Sequence, residues 1–160
     1  MSWRLDENLS SETYQQLVDI AEPLSCAQGA VLISEGDQSR TLFIVESGSL
    51  TVSQQAGAGE RQLGIIEAGD VVGEIAFIDQ RPRSATVTIR EDARLLKLGH
   101  AEVMHALVDH PAALADLVQT LAVRITLRFR SYLAEENIQS DLSKVSSISD
   151  KPAGMEQAGE

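Results

Sequence analysis

The sequence predicts a mainly β domain with flanking helices, a sandwich or rolled barrel, and three observations carry that prediction. From Gly29 to about Leu98 the apolar residues come in short or alternating runs bounded by turn formers. Helical periodicity is absent from that zone except for a few residues after Gly73. On both sides of it, apolar residues recur at three- and four-residue spacing, the signature of helices that cover a core.

Taken in order, Leu17, Ile20, Ala21 and Leu24 recur at helical spacing between Ser10 and about Leu24. Ser11, just ahead of Glu12 and Tyr14, supplies a start signal. Pro23 ends the segment by forcing the residue before it out of helical geometry. The strand candidates are Val31-Leu32-Ile33, Leu42-Phe43-Ile44-Val45, Leu50-Thr51-Val52, Leu63 to Ile66, Val71-Val72, Ala85 to Ile89 and Leu95 to Leu98. Gly36-Asp37, Ser47-Gly48, Gly57-Ala58-Gly59 and Gly69-Asp70 read as the turns between them. Seven or eight short strands at this density indicate a sandwich or a rolled barrel. Val103, Ala106 and Leu107 then make a short helix that stops before His110-Pro111. A longer one follows, with its stripe at Leu114, Leu117, Val118, Leu121, Ile125, Phe129, Tyr132 and Leu133. From Asn137 the chain is rich in Ser, Asp and Glu. The expected organisation is therefore a domain over 10–136 and an acidic, Ser-rich, disordered tail over 137–160.

Composition narrows the function classes. One core suits 160 residues. A formal charge of −11 opposes a nucleic-acid partner, because phosphate backbones are gripped by clustered Lys and Arg. The nearest approach to such a cluster is Arg124, Arg128 and Arg130, which read as solvated positions on the long helix. No apolar run reaches the ~20 residues of a membrane span, and the N-terminus lacks the basic-then-apolar order of a signal peptide. The lone Cys26 excludes an internal disulfide and reads as a structural thiol. The cytoplasm is the expected compartment. His100, His105 and His110 fall five apart and outside the β zone, so they read as surface or boundary residues rather than metal ligands. The strands contain no His, which opposes a metal-bearing cupin-like enzyme. No Ser–His–Asp grouping or carboxylate-pair motif suggests catalysis.

The stretch Gly69 to Val87 carries the chemistry. It reads as a strand, a glycine, a very short helix, a turn and a return into a strand. Gly73 lets the backbone come close to a ligand. The first turn of the short helix leaves N–H groups without intrahelical partners, and these favour an anion. Arg83, at the far end of the same loop, offers a forked, charge-assisted contact to a phosphate. Glu74 is out of place beside an anion alone but suits a neutral donor such as a sugar hydroxyl. A ribose phosphate meets both demands.

The runs Gly73-Glu74-Ile75-Ala76 and Arg83-Ser84-Ala85-Thr86-Val87 resemble the phosphate-binding cassette of cyclic-nucleotide-binding domains. That family includes the bacterial catabolite activator, the regulatory subunits of protein kinase A and cyclic-nucleotide-gated channels. Glu35-Gly36-Asp37, Phe43-Ile44-Val45 and Ser47-Gly48-Ser49-Leu50-Thr51-Val52 look like its second signature, and the resemblance runs from about Leu17 to Leu133. It implies an eight-stranded β-roll (jelly-roll-like, a double-stranded β-helix) with an N-terminal helix, a short cassette helix and C-terminal helices.

The resemblance also implies roles. Glu74 accepts from the ribose 2′-hydroxyl, Arg83 pairs with the cyclic phosphate, and amides near Ala76 and Ser84 assist. Gly73 permits close approach, while Leu63, Gly64 and Ile75 lie near the base. Ser84, where Thr tends to accompany cGMP, leaves the choice open and leans toward cAMP. Arg128 and Phe129 are the candidates to cap the base. Relatives that are transcription factors carry a helix-turn-helix after the long helix, and the residues after Glu136 cannot build one.

The expected function is a non-catalytic sensor of cAMP or cGMP, with no other cofactor. It signals through the helices from Ala101 to Glu136 to an effector that the sequence does not name. The heptad-like spacing of the long helix also points to a homodimer through 112–136. A nucleotide-free interaction domain is the alternative.

Overall fold

The computed structural model describes residues 2–149. The chain divides into two compact units, Met1–Ile125 and Thr126–Glu160. In the first, helices α1 (Leu5–Asn8) and α2 (Ser11–Ile20) precede strands β1 (Glu22–Cys26), β2 (Val31–Ile33), β3 (Leu42–Ala56), β4 (Gly59–Glu67) and β5 (Val71–Val72). Helix α3 (Glu74–Asp79) then leads into β6 (Thr86–Leu98) and α4 (His100–Leu107). Helix α5 (Pro111–Ser149) begins in the first unit and continues into the second.

The six strands form one antiparallel sheet in the order β1-β6-β3-β4, with β2 added to β6 and β5 to β3. This is the mainly β architecture with flanking helices that the sequence predicts. The strand count differs because several predicted strands join. Ser47-Gly48 is a bulge within β3 rather than a turn, marked by register shifts between Val45 and Leu50. Gly48 has φ 85°, and a Cβ there would collide with the Asp92 carbonyl and lie 2.7 Å from Ala93 Cα. The runs ending at Val45 and starting at Leu50 therefore belong to one bent strand. Opposite them, Ala85–Ile89 and Leu95–Leu98 merge in the same way into β6.

The N-terminal region also departs from expectation. Helix α2 is capped by Ser10, whose hydroxyl accepts from the Thr13 amide at 3.2 Å, and it ends at Ile20. Pro23 and Leu24 lie in β1, where Leu24 packs against the interior of the roll. Leu24 thus fits a strand facing the core, and its apparent helical spacing is coincidental. Leu5 and Leu9 are buried, so the core begins before residue 10.

At the other end, α5 extends through Ser149, past the expected onset of disorder at Asn137. No Pro or Gly interrupts residues 112–149, and Ile138, Leu142 and Val145 carry apolar side chains along it. The rest of the expected tail, 150–160, lies outside the described residues. No described helix is long and apolar enough to cross a membrane.

Two apolar clusters organise the first unit. Inside the roll, Ile33, Phe43, Val45, Leu50, Val72 and Val87 pack with their strand neighbours. Under the helices, Leu5 and Leu17 meet Val103 and Leu107 of α4 and Leu117 and Leu121 of α5. Phe77, on α3, is 2% exposed and belongs to this second cluster. The short helix beside the candidate cassette is therefore anchored among the helices.

Candidate functional site

The cassette is built by two backbone devices. The first is the strand-to-helix corner at Gly73, which caps α3 with φ 89° and ψ 12°. Only glycine adopts this conformation without strain, and the packing requires it as well. A Cβ at Gly73 would sit 2.6 Å from the Thr41 carbonyl oxygen and 2.7 Å from Arg83 Nη1. The close approach is thus to the protein's own groups. The first intrahelical bond runs from the Phe77 amide to the Gly73 carbonyl at 3.2 Å, so the amides of Ile75 and Ala76 come ahead of it.

The second device is the clip between the end of the cassette and the β2–β3 loop. Gly36 donates to the Arg83 carbonyl at 2.9 Å, and the Arg83 amide donates to the Asp37 carbonyl at 2.7 Å. The Glu35 amide donates to Thr86 Oγ1 at 3.0 Å. The Glu35-Gly36-Asp37 motif therefore acts by holding the chain that carries Arg83.

Arg83 is the centre of the site. It is 4% exposed, and each of its guanidinium nitrogens is engaged. Nε donates to Ser39 Oγ at 3.0 Å, Nη1 to the Gly73 carbonyl at 3.1 Å and Nη2 to the Thr41 carbonyl at 2.7 Å. Gly73 O thus accepts from both the first bonded amide of α3 and the arginine. Burial pushes the Arg83 guanidinium below its ordinary value, while Glu74 and Asp37 pull it upward. Glu74 is itself 4% exposed, so a buried carboxylate and a buried guanidinium share the corner. The corner sets a cation suited to an anion beside a carboxylate suited to a hydroxyl donor.

The other predicted residues fall around this pair. Ala76 is buried and Ile75 is 40% exposed on α3. Ser84 is exposed, and its carbonyl accepts from Gln54 Nε2 at 3.1 Å. Leu63 and Gly64 are half-buried on β4. Gly64 is opposite Val52 of β3, which is opposite Val87 of β6, so Gly64 lies on the rung that receives the end of the cassette. Arg128 and Phe129 belong to the second unit, where Phe129 is exposed. Ser39 and Thr41 were not legible as site residues. Between two glycine-marked motifs, Ser39 reads as loop filler, and Thr41 contributes through its backbone.

One side chain, Arg124, departs from its sequence reading, whereas His100 keeps to its boundary position. Arg124 is not solvated. Its Nε donates to Asp70 Oδ1 at 3.0 Å and its Nη2 to Oδ2 at 2.6 Å, and its guanidinium lies 5.1 Å from the Trp3 ring centroid. Asp70 sits three residues before Gly73, so α5 grips the strand that enters the cassette. His100 is half-buried, with its ring 5.0 Å from that of Phe77 and its Nε2 3.0 Å from Arg40 Nη2.

Burial, then the Arg40 charge, hold His100 below its usual value of 6.5. As pH falls through that value, the unfolded chain takes up a proton that the folded His100 resists. Its contribution to stability is therefore full above 6.5 and declines below it. Urea denaturation from about pH 7.5 to about pH 5 is expected to show a shallower decline for His100→Gln than for wild type. Equal slopes would refute this role.

The match to known proteins covers this region. The cyclic nucleotide-binding domain model matches residues 23–110, more than half of the chain. A cAMP-dependent protein kinase regulatory subunit of Mycosarcoma maydis is 33% identical over 94 residues, 57% of this chain and 18% of that protein. The chain thus corresponds to a small part of that relative's length. The N-terminal domain of a transcriptional regulator from Streptomyces coelicolor A3(2) superposes with TM-score 0.67 at 28% identity, covering 76% of this chain and 88% of that one. The regulatory domain of Toxoplasma gondii PKA, in a structure with cAMP, gives TM-score 0.57 at 30% identity, with coverage of 62% and 38%. With the cassette corner, the buried Arg83 and Glu74 and the roll around them, these findings show that the chain belongs to the cyclic nucleotide-binding domain family.

Proposed function

We propose that this domain is a non-catalytic sensor of a 3′,5′-cyclic nucleotide, cAMP in preference to cGMP, that signals to a partner through its C-terminal helices. The observation that carries the reading is the buried pair at one corner, Arg83 locked by three hydrogen bonds beside Glu74. An arginine so held is organised before a ligand arrives, which lowers the ordering cost of binding. Ser84 at the resembling position supports cAMP over cGMP. Phe77 supports the output route, because α3 adjoins the phosphate position and buries this ring against α4 and α5. A ligand shifts such packing only by its differential affinity for the two arrangements.

Isothermal titration with cAMP and then cGMP, on protein freed of carried-over nucleotide, tests the reading. Saturable micromolar binding, about −8 kcal/mol, with cAMP tighter, is expected. No heat with either nucleotide would refute it and favour an interaction domain that binds no nucleotide.

Self-association through residues 112–136 accompanies this reading. Val118, Val123, Leu127, Phe129 and Leu133 are large apolar side chains between 40% and 60% exposed within that span. Such a density on one helix suits burial against a second copy. Sedimentation equilibrium is expected to give a dimer that Leu127→Glu and Phe129→Glu together dissociate. A monomer at every accessible concentration would exclude it.

A further inference from the structure

Ser39 belongs to neither signature of the family resemblance, yet its hydroxyl is the side-chain acceptor among the three groups that hold the Arg83 guanidinium. The other two acceptors are the backbone carbonyls of Gly73 and Thr41. The guanidinium is planar, so an acceptor on each of its three nitrogens fixes both its position and its plane. The acceptor on Nε completes that set and is the one a side-chain substitution can remove. The three bonds use three of the five guanidinium N–H groups. One N–H remains on each terminal nitrogen, the number a bidentate contact to two phosphate oxygens uses.

We propose that Ser39 is a positioning residue for ligand binding, orienting Arg83 through Nε so that its remaining N–H pair meets the cyclic phosphate. The inference rests on the reading of this corner as the nucleotide phosphate site. Ser39 is an exposed residue on the loop that leads into β3, whereas Arg83 is buried, so the contact joins a replaceable surface side chain to the centre of the site. Nothing in the core depends on its volume. Replacing it removes one hydrogen bond and no buried volume.

The test compares wild type, Ser39→Ala, Ser39→Thr and Arg83→Ala by titration with cAMP. Thermal unfolding and the proton–nitrogen NMR signal of the Arg83 Nε–H are recorded alongside. Loss of one hydrogen bond to a charged group is expected to raise the Ser39→Ala dissociation constant about tenfold. Ser39→Thr, which keeps the hydroxyl, should bind as wild type does. The Arg83 Nε–H signal should shift or broaden in Ser39→Ala and stay in place in Ser39→Thr, while the melting temperature barely moves. A merely structural serine would lower the melting temperature and leave that signal unchanged, which would overturn the proposal. So would wild-type affinity in Ser39→Ala when Arg83→Ala fails to bind. Unchanged affinity in Arg83→Ala, or no binding by the wild type, would instead overturn the phosphate-site reading beneath it.

Discussion

Arg83→Ala is expected to weaken cyclic nucleotide binding by about 2–5 kcal/mol, the range for truncating one partner of a buried charged contact. The structure gives two reasons for the upper part of that range. The lost guanidinium interacts with the charge of Glu74, and both are 4% exposed, so solvent does little to replace that interaction. It also withdraws the donor from Thr41 O and Ser39 Oγ, loosening the loop that clips the cassette. Arg83→Lys separates charge from geometry, since an ammonium keeps the cation but has no planar fork. Titration of that variant should show most of the affinity lost while urea denaturation shows the fold retained. If Arg83→Ala binds cAMP as tightly as wild type, the phosphate is bound elsewhere.

Asp70→Ala should carry the largest loss of folding stability, about 3 kcal/mol, measured as a lower urea midpoint at unchanged slope. Asp70 is 6% exposed and accepts both nitrogens of Arg124 in a forked pair. Its Oδ1 also accepts from the Val71 amide at 2.7 Å. Removing it strands a guanidinium whose side chain is only 16% exposed. Because the two side chains interact directly, Asp70→Ala combined with Arg124→Met should lose less than the sum of the single changes. Full additivity would mean that the pair contributes nothing beyond local packing. The same ion pair links α5 to the residue three places before Gly73, so the variant also tests whether helix and cassette communicate. The expected sign is a change in cAMP affinity even though neither Asp70 nor Arg124 contributes to the Arg83 corner.

Much of this site was legible because its chemistry is local in sequence. Gly73, Glu74 and Ala76 fall within one turn, and Arg83 closes the same loop, so residue type and spacing alone single out the corner that the buried Arg83 and Glu74 share. The groups that hold Arg83 come from residues 39 and 41, far along the chain, and carry no periodicity that could flag them. Arg124 failed for a related reason. Its charge suggests solvent although it falls seven residues after the buried Leu117 on the same helix face, and only the fold places Asp70 opposite it. Strand boundaries erred where glycine has two uses: Gly57 does turn the chain, whereas Gly48 bends a strand that continues past it. Helix α5 outran the expected tail because a Ser-rich composition without Pro or Gly does not stop a helix that is already under way.

The pairing of β3 with β6 has a kinetic consequence. These strands align residue 42 with 98 at one end and 53 with 86 at the other, and the whole of β4, β5 and α3 lies within the loop that they close. Closing so long a loop costs chain entropy before native contacts repay it, so folding is limited by a non-local step. The cassette has no geometry of its own until that step is complete, since Arg83 is positioned by groups on the approach to β3. During refolding, helical signal from α2, α4 and α5 should therefore appear ahead of the capacity to bind nucleotide. On a ribosome the site cannot form until β6 has emerged, which places ligand recognition near the end of the domain's synthesis.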